Sequence, residues 1–192
     1  CSFFFCLSLI VGCDKSIPES SNFFLSNDYP EKLSDWNLVW LDGDSIKISD
    51  DSIVYNLNSS LFSDYASKLR TLRLPKGQAA VYEEHDSFVF PVGTIISKTF
   101  FYRSSNQQTV SLNSNWSGSP EDLTLDNTRL IETRLLVMQE TGWEALPYIW
   151  KGGDAYLTIT GDLKELMLAD ADEKFFYQVP SKNQCASCHT TN

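Results

Sequence analysis

The chain of 192 residues is 42% hydrophobic and 13% aromatic, a composition that predicts a folded globular domain and excludes a disordered chain. Its formal net charge of −10 argues against a nucleic-acid partner, because phosphate binding requires clustered Lys and Arg. The acidic balance favours a protein partner with a basic docking face, although solubility alone is the commoner meaning of such a surface.

The first residues have the character of a secretory signal peptide. The apolar run that ends at Gly12 is too short for a helix that spans a bilayer, which takes about 20 residues. Ile10-Val11-Gly12-Cys13 resembles the bacterial lipobox, which predicts cleavage before Cys13 and lipidation of that residue. The alternative is an ordinary cleaved signal with an incidental Cys. Because no initiating Met precedes it, we expect the signal at residues 1–12 to be incomplete. By resemblance to enterobacterial lipoproteins, Asp14 directly after the lipidated Cys favours retention at the inner membrane.

A polar tether at residues 13–30 and a β-rich domain at residues 31–178 are predicted next. Segments rich in β-branched and aromatic residues, separated by turns, predict strands at Trp36–Leu41, Ile53–Leu57, Leu69–Leu74, Ser87–Phe90, Thr94–Tyr102, Leu130–Gln139, Trp143–Trp150 and Ala155–Thr160. Helices are predicted only for Asp162–Leu168 and Leu61–Lys68, and a Ser/Asn-rich loop for Ser104–Ser119. Strands at this spacing favour a mainly β fold, an antiparallel sandwich or jelly roll.

The most specific motif is Cys185-Ala186-Ser187-Cys188-His189, which matches the C-x-x-C-H attachment sequence of a c-type haem. In such a motif Cys185 and Cys188 form thioethers with one porphyrin, and His189 is an axial ligand of the iron. Half of a zinc site or a thiol redox pair are the alternatives. Zinc would need more ligands, and the only other His is His85. A redox pair would need a βαβ setting, which is not evident.

The five cysteines are all accounted for by these two motifs. Cys1 and Cys6 leave with the signal, Cys13 takes lipid, and the remaining two take haem. None is left for a structural disulfide, although an oxidising compartment would permit one. Haem is attached to such motifs outside the bacterial cytoplasm, so both ends of the chain predict a periplasm-facing protein of the cell envelope.

Several segments carry a resemblance to a known family: Asn58–Pro75, Phe90–Thr94, Lys98–Phe100, Ile131–Leu136, Gly142–Trp143, Tyr148–Trp150 and Val179–His189. From about Trp36 onward the chain resembles a bacterial family of predicted, di-haem c-type cytochromes that are often encoded beside parallel β-helix repeat proteins. The resemblance implies a β-rich region that leads into a cytochrome-c-like haem domain, which would begin at residues 179–192. Members of that family continue well beyond the haem motif, so we expect this chain to be a fragment. The alternative is that the haem packs against the β domain.

Other candidate site residues have a simpler interpretation. Met138, Met167 and His85 could supply a second axial ligand, but core or surface roles are commoner for these types and none is assigned. Glu132 and Arg134 could contact carboxylates or a substrate, but we expect them to form cross-strand ion pairs. A propionate or a partner could contact Lys68, Arg70 and Arg73, but we expect these residues to form a solvated, partly paired edge. A sugar-binding face could include Trp116, Trp143 and Trp150, but we expect these aromatic residues to fill the core. No catalytic residue is predicted, because one of the two His is assigned to iron and no Ser-His-Asp set can be assembled from what remains.

The sequence therefore predicts a membrane-anchored c-type cytochrome, lipidated at Cys13, with haem c on Cys185, Cys188 and His189. It would exchange electrons with a redox protein and is expected to be an electron carrier rather than an enzyme, since the haem supplies the redox chemistry. A haem-containing accessory domain of an oxidoreductase or peroxidase is one alternative. A non-haem β-sandwich binding module with an incidental Cys pair is another.

Overall fold

Strands make up most of the regular structure in a computed structural model that describes residues 21–59, 61–112, 116–169, 171 and 173–189. The strands are β1 (Val39–Asp42), β2 (Ser45–Ile48), β3 (Ser52–Val54), β4 (Ser67–Arg73), β5 (Ile95–Arg103), β6 (Thr109–Val110), β7 (Thr128–Gln139), β8 (Gly142–Lys151), β9 (Asp154–Leu157), β10 (Asp162–Leu168) and β11 (Lys174–Val179). Helix α1 is Lys182–His189, and 3₁₀ helices span Leu33–Trp36 and Pro120–Asp122. The prediction of a mainly β fold with antiparallel sheets is confirmed.

The centre of the fold is a six-stranded sheet in the order β3-β4-β5-β7-β8-β9, in which every neighbouring pair is antiparallel. Its inner face carries Leu69, Leu135 and Tyr148, which are completely buried against Trp36 and the β1–β2 hairpin. The Trp36 indole N–H donates to the Tyr148 hydroxyl over 2.8 Å. Because side chains alternate along each strand, the residues between these positions point to the opposite face.

A second layer covers part of that opposite face. Strands β10 and β11 form an antiparallel pair, and the short β6 runs parallel to β10 at its edge. Leu166 and Tyr177 from this layer are buried against Phe100 and Ile149 of the large sheet. Strands β6, β10 and β11 do not cover the rest of this face, which lies toward helix α1.

Residues 21–30, the described part of the predicted tether, lie against the sheet. The Ser21 backbone N–H and hydroxyl donate to Asp51 Oδ2 over 3.2 and 3.1 Å, and Phe24 packs edge-on against Trp36 with ring centroids 4.9 Å apart. The predicted signal at residues 1–12, Cys13 and Asp14 lie outside the described residues. The domain boundaries inferred from sequence stay predictions.

Two predicted helices are wrong. Asp162–Leu168 is strand β10, which pairs with β11 from Asp162 to Met167, so tertiary pairing overrides the helix-forming composition D-L-K-E-L-M-L. Leu61–Lys68 is not helical, because Asp64 and Tyr65 have positive φ of 47° and 62° and strand β4 already begins at Ser67. A left-handed backbone at two consecutive residues cannot continue a right-handed helix.

Other predicted elements differ in detail, and the predicted strands Ile53–Leu57 and Ala155–Thr160 end at Val54 and Leu157. The predicted strand Ser87–Phe90 is not formed, since Val89 makes only a single bridge with Val81 and both side chains are more than half exposed. The first strand begins at Val39 rather than Trp36, because Trp36 closes a 3₁₀ helix. The predicted loop Ser104–Ser119 contains the short strand β6.

Candidate functional site

Helix α1 carries the C-x-x-C-H motif and begins at a reciprocal cap. The Ser181 backbone N–H donates to Gln184 Oε1 over 2.9 Å, and the Gln184 N–H donates to Ser181 Oγ over 3.3 Å. This capping box satisfies two backbone donors and fixes where the helix starts, with Ser181 as the N-cap and Lys182 as the first helical residue. The Cys185 N–H then donates to Ser181 O over 3.0 Å. The sequence therefore sets the first turn of the helix and with it the position of Cys185.

Positions 188 and 189 follow Cys185 by three and four residues, and each of these spacings brings a helical position to the same face as position 185. The predicted haem residues are thus joined by the backbone of a single helix. Cys185 is buried, with 7% of its surface exposed. The side chains of Cys188 and His189 lie outside the described part of the structure.

Cys185 lines a cavity of about 500 Å³ between the start of α1 and the large sheet. This volume lies within the range of about 300–1,000 Å³ that ligand pockets have. Apolar side chains form much of the lining, namely Leu57, Leu61, Ile96, Leu136, Ala145 and Pro180. Leu57 and Leu61 are 51% and 74% exposed, so part of the apolar lining faces solvent. An apolar group bound here would cover that surface.

Three cations line the same cavity in a row across adjacent strands. Arg70 on β4 lies directly opposite Lys98 on β5, and Lys98 lies directly opposite Arg134 on β7. We call these three residues the cationic row. Like charges that face each other across strands destabilise a sheet. The row therefore carries an electrostatic cost that a bound anion would relieve.

The cationic row lies beside an aromatic ring and a further lysine. The Lys98 ammonium and the Arg134 guanidinium are 5.5 and 4.3 Å from the Phe100 ring centroid, and the Lys68 ammonium is 5.9 Å from it. These are cation–π distances. Burial, followed by the charges of Arg134 and Arg70, lowers the pKa of Lys98. Burial, followed by the charges of Arg70, Lys98 and Arg134, lowers the pKa of Lys68.

One carboxylate partly balances this charge. Glu132 is completely buried and accepts a hydrogen bond from Arg134 Nε over 2.9 Å and one from the Tyr177 hydroxyl over 2.6 Å. Burial lowers the pKa of Arg134, but the hydrogen bond and charge of Glu132 raise it by more. Burial, and then the Glu132 charge, raise the pKa of Tyr177, which keeps its hydroxyl proton available as a donor. Arg134 is thereby held in place by Glu132, its neighbour along the strand.

The charged residues that were expected to lie on a solvated edge or to pair across strands have different surroundings in the structure. Strand β4 lies between β3 and β5, so Arg70 is buried, and Arg73 pairs with Asp51 at 3.5 Å. Glu132 and Arg134 form their ion pair within one strand rather than across two. Sequence reasoning did not single out Lys98. Lys98 is the single charge in the predicted strand Thr94–Tyr102, and only the register of the strands shows that it lies between Arg70 and Arg134.

The other candidates from sequence lie elsewhere. His85 is exposed in a loop, Met138 is half-buried beside Trp143 on β7–β8, and Met167 lies on β10. The described residues that line the Cys185 cavity do not include any of these three. Trp150 is buried in the core, where its indole N–H donates to Thr133 Oγ1 over 3.0 Å. Trp116 packs against Phe101, so a core role fits both.

Within the described ranges, no group of three or more His, Cys, Asp or Glu side chains is placed to hold a metal ion. No helix in that part of the chain is long and apolar enough to cross a bilayer. No protein-family model, curated protein or solved structure matches this chain. The resemblance to c-type cytochromes therefore stays a prediction that rests on the motifs themselves.

Proposed function

We propose that this chain is a membrane-anchored c-type cytochrome that carries covalently bound haem for electron transfer outside the cytoplasm. The observation that carries the proposal is the place of Cys185, the first residue of C-x-x-C-H, in the wall of a cavity lined by apolar side chains and cations. A chance C-x-x-C-H in a solvated loop would have no reason to lie beside such a cavity.

The residues around the cavity fit the chemistry of a haem. Cys185 and Cys188 would hold it through thioethers, and His189 would be an axial ligand of the iron. Apolar side chains such as Leu136 and Ala145 would exclude water from the porphyrin faces, which raises and defines the reduction potential. When bound, haem supplies one-electron redox chemistry. The β domain would orient the haem and shield one side of it.

The finer architecture belongs to the same proposal. The two layers of sheet would be a sandwich or jelly-roll-like domain, and residues 179–192 the start of a cytochrome-c-like haem segment. Lipid on Cys13 would hold the protein at the periplasmic side of the bacterial inner membrane. With a net charge of −10, the protein would dock a redox partner that has a basic face.

A second candidate function is a binding module for a small acidic ligand. It is favoured by the fact that the cationic row belongs to the large sheet and does not depend on the cysteines. In that case the protein would be colourless, and the cavity would take a carboxylate-bearing molecule with an apolar body.

An absorbance spectrum with a haem-stained denaturing gel separates the two candidates. The protein would be produced with a cytochrome c maturation system and compared with a Cys185→Ala/Cys188→Ala variant. We expect a Soret band and a covalent stain in the wild type, both lost in the double variant. A colourless wild-type protein would overturn the cytochrome proposal and leave the binding module.

A further inference from the structure

The cationic row is more positive than the described groups that contact it can balance. Arg134 has Glu132 as a hydrogen-bonded partner, and the Arg70 guanidinium donates to the neutral Lys68 carbonyl oxygen over 3.3 Å. Lys98 has its ammonium over the Phe100 ring. One carboxylate therefore faces three cations of the row and the nearby Lys68, all on the same side of the sheet.

Such an arrangement is unfavourable in the absence of an anion. Two unit charges of like sign a few ångströms apart repel even near a protein surface, and burial strengthens the repulsion. The sheet register places Arg70, Lys98 and Arg134 next to one another on one face of the sheet, so three cations share one small region. Arginine and lysine are also the side chains that carboxylates bind most strongly.

We propose that the cationic row binds the propionate carboxylates of the haem that Cys185 carries. This inference rests on the proposed cytochrome function and adds an orientation to it: the acidic edge of the haem would face strands β4, β5 and β7. The apolar lining and the cations belong to one cavity, so a single molecule with an apolar body and two carboxylates satisfies both. Arg70 and Lys98 would make the binding contacts, and Glu132 would position Arg134.

The reduction potential of the haem is the readout that distinguishes this role from a purely structural one. Positive charge beside a haem disfavours its oxidised form, which carries one more positive charge than the reduced form. We therefore expect Lys98→Met and Arg70→Gln each to shift the midpoint potential to lower values, and the double variant to shift it further. Lys98→Arg keeps the charge and should restore the wild-type potential.

Lys151→Met is the matched control, because Lys151 is an exposed lysine at the end of β8 that does not line the cavity. It should leave the potential close to that of the wild type. Covalent haem staining should be equal in all these proteins, since the thioethers form at Cys185 and Cys188. Thermal unfolding of each variant establishes that it is folded, and Arg70→Gln serves if Lys98→Met does not fold.

The outcomes separate the two claims. A stained wild type whose potential is unchanged by Lys98→Met and by Arg70→Gln would overturn the propionate assignment and leave the cytochrome intact. A shift as large in Lys151→Met would also overturn it, because the effect would then be one of net charge. An unstained wild type would overturn both the cytochrome and the propionate assignment.

Discussion

Glu132 is the residue on which the charge arrangement of the cavity depends. Its carboxylate has no exposed surface and accepts hydrogen bonds from Arg134 and Tyr177. Glu132 therefore connects Arg134 of the cationic row to Tyr177 of the second layer of sheet. A buried carboxylate of this kind is tolerated only because each oxygen has a charged or hydroxyl donor. Removal of the charge leaves Arg134 beside Arg70 and Lys98 with no counter-charge.

We predict that Glu132→Gln lowers the free energy of unfolding by about 3 kcal/mol, the cost of breaking a buried ion pair. The matched control is Glu165→Gln, because Glu165 pairs with Lys174 on the exposed side of β10–β11, where both side chains are about half exposed. Its loss should stay below about 1 kcal/mol. Urea unfolding of the three proteins measures the difference, and equal losses in the two variants would contradict the role given to Glu132.

At the scale of elements, the connection between the β10–β11 pair and α1 is constrained by a close contact with the backbone at Gly161. Gly161 precedes β10 with φ of +76°, and a Cβ there would lie 2.5 Å from Val179 O and 2.9 Å from Ser181 N. Only glycine fits so close to another backbone segment. The same contact holds the segment 179–181, from which α1 begins.

We predict that Gly161→Ala destabilises the protein by more than Gly152→Ala. Gly152 has a similar φ of +66° but nothing within 4 Å of the modified position, so its change isolates the cost of a left-handed alanine. That cost is about 1 kcal/mol. The clash at Gly161 should add about 1–3 kcal/mol. Denaturant unfolding gives both values, and identical values would show that the contact at Val179 is not constraining.

The long strands were predictable from sequence, and several elements of the site were not. Strands β5, β7 and β8 follow the predicted Thr94–Tyr102, Leu130–Gln139 and Trp143–Trp150 within two residues, because their apolar and β-branched runs are long. The Asp42-Gly43-Asp44 sequence, which is typical of a hairpin turn, connects β1 and β2. Strand β10 was missed because its residues favour helix and only pairing with β11 decides its structure.

The cavity could not be predicted because it depends on register. Arg70, Lys98 and Arg134 come from three separate strands and align only when both strand pairs are fixed. A shift of one residue in either pair would move a cation to the opposite face. By contrast, the cap at Ser181 and Gln184 is local, so the start of α1 could have been found from the spacing S-x-x-Q before the motif.

At the scale of the whole molecule, both ends of the described chain are held to the same sheet by acidic residues. Glu144 on β8 accepts hydrogen bonds from Ser26 and, over 3.2 Å, from the Lys182 ammonium at the start of α1. Asp51 accepts hydrogen bonds from Ser21 and pairs with Arg73. These two carboxylates therefore join the N-terminal segment and α1 to the rest of the fold.

This arrangement predicts a loss of stability in acid. Burial raises the pKa of Asp51, but hydrogen bonds from Ser49 and Ser21 outweigh burial and lower this pKa. Burial likewise raises the pKa of Glu144, but hydrogen bonds from Ser26 and Lys182 outweigh it and lower that pKa. Groups with lowered folded-state pKa stabilise the protein above their unfolded pKa and lose that contribution as pH falls through the folded value.

We therefore expect the unfolding free energy to fall between about pH 5 and pH 3, and to fall less in an Asp51→Asn/Glu144→Gln variant. Urea unfolding at a series of pH values checks this. The double variant should be less stable than the wild type at neutral pH, and the two curves should approach each other in acid. Parallel curves would show that neither carboxylate contributes through its charge.

The measurement that tests the central claim most directly is the intact mass of the denatured protein after production with a cytochrome c maturation system. If thioethers form at Cys185 and Cys188, the chain is heavier by the mass of one haem. The haem stays attached through denaturation and acidic extraction because the bonds are covalent. Cys185→Ala/Cys188→Ala should have the mass of the unmodified polypeptide. A wild-type chain with that same unmodified mass would contradict the cytochrome assignment.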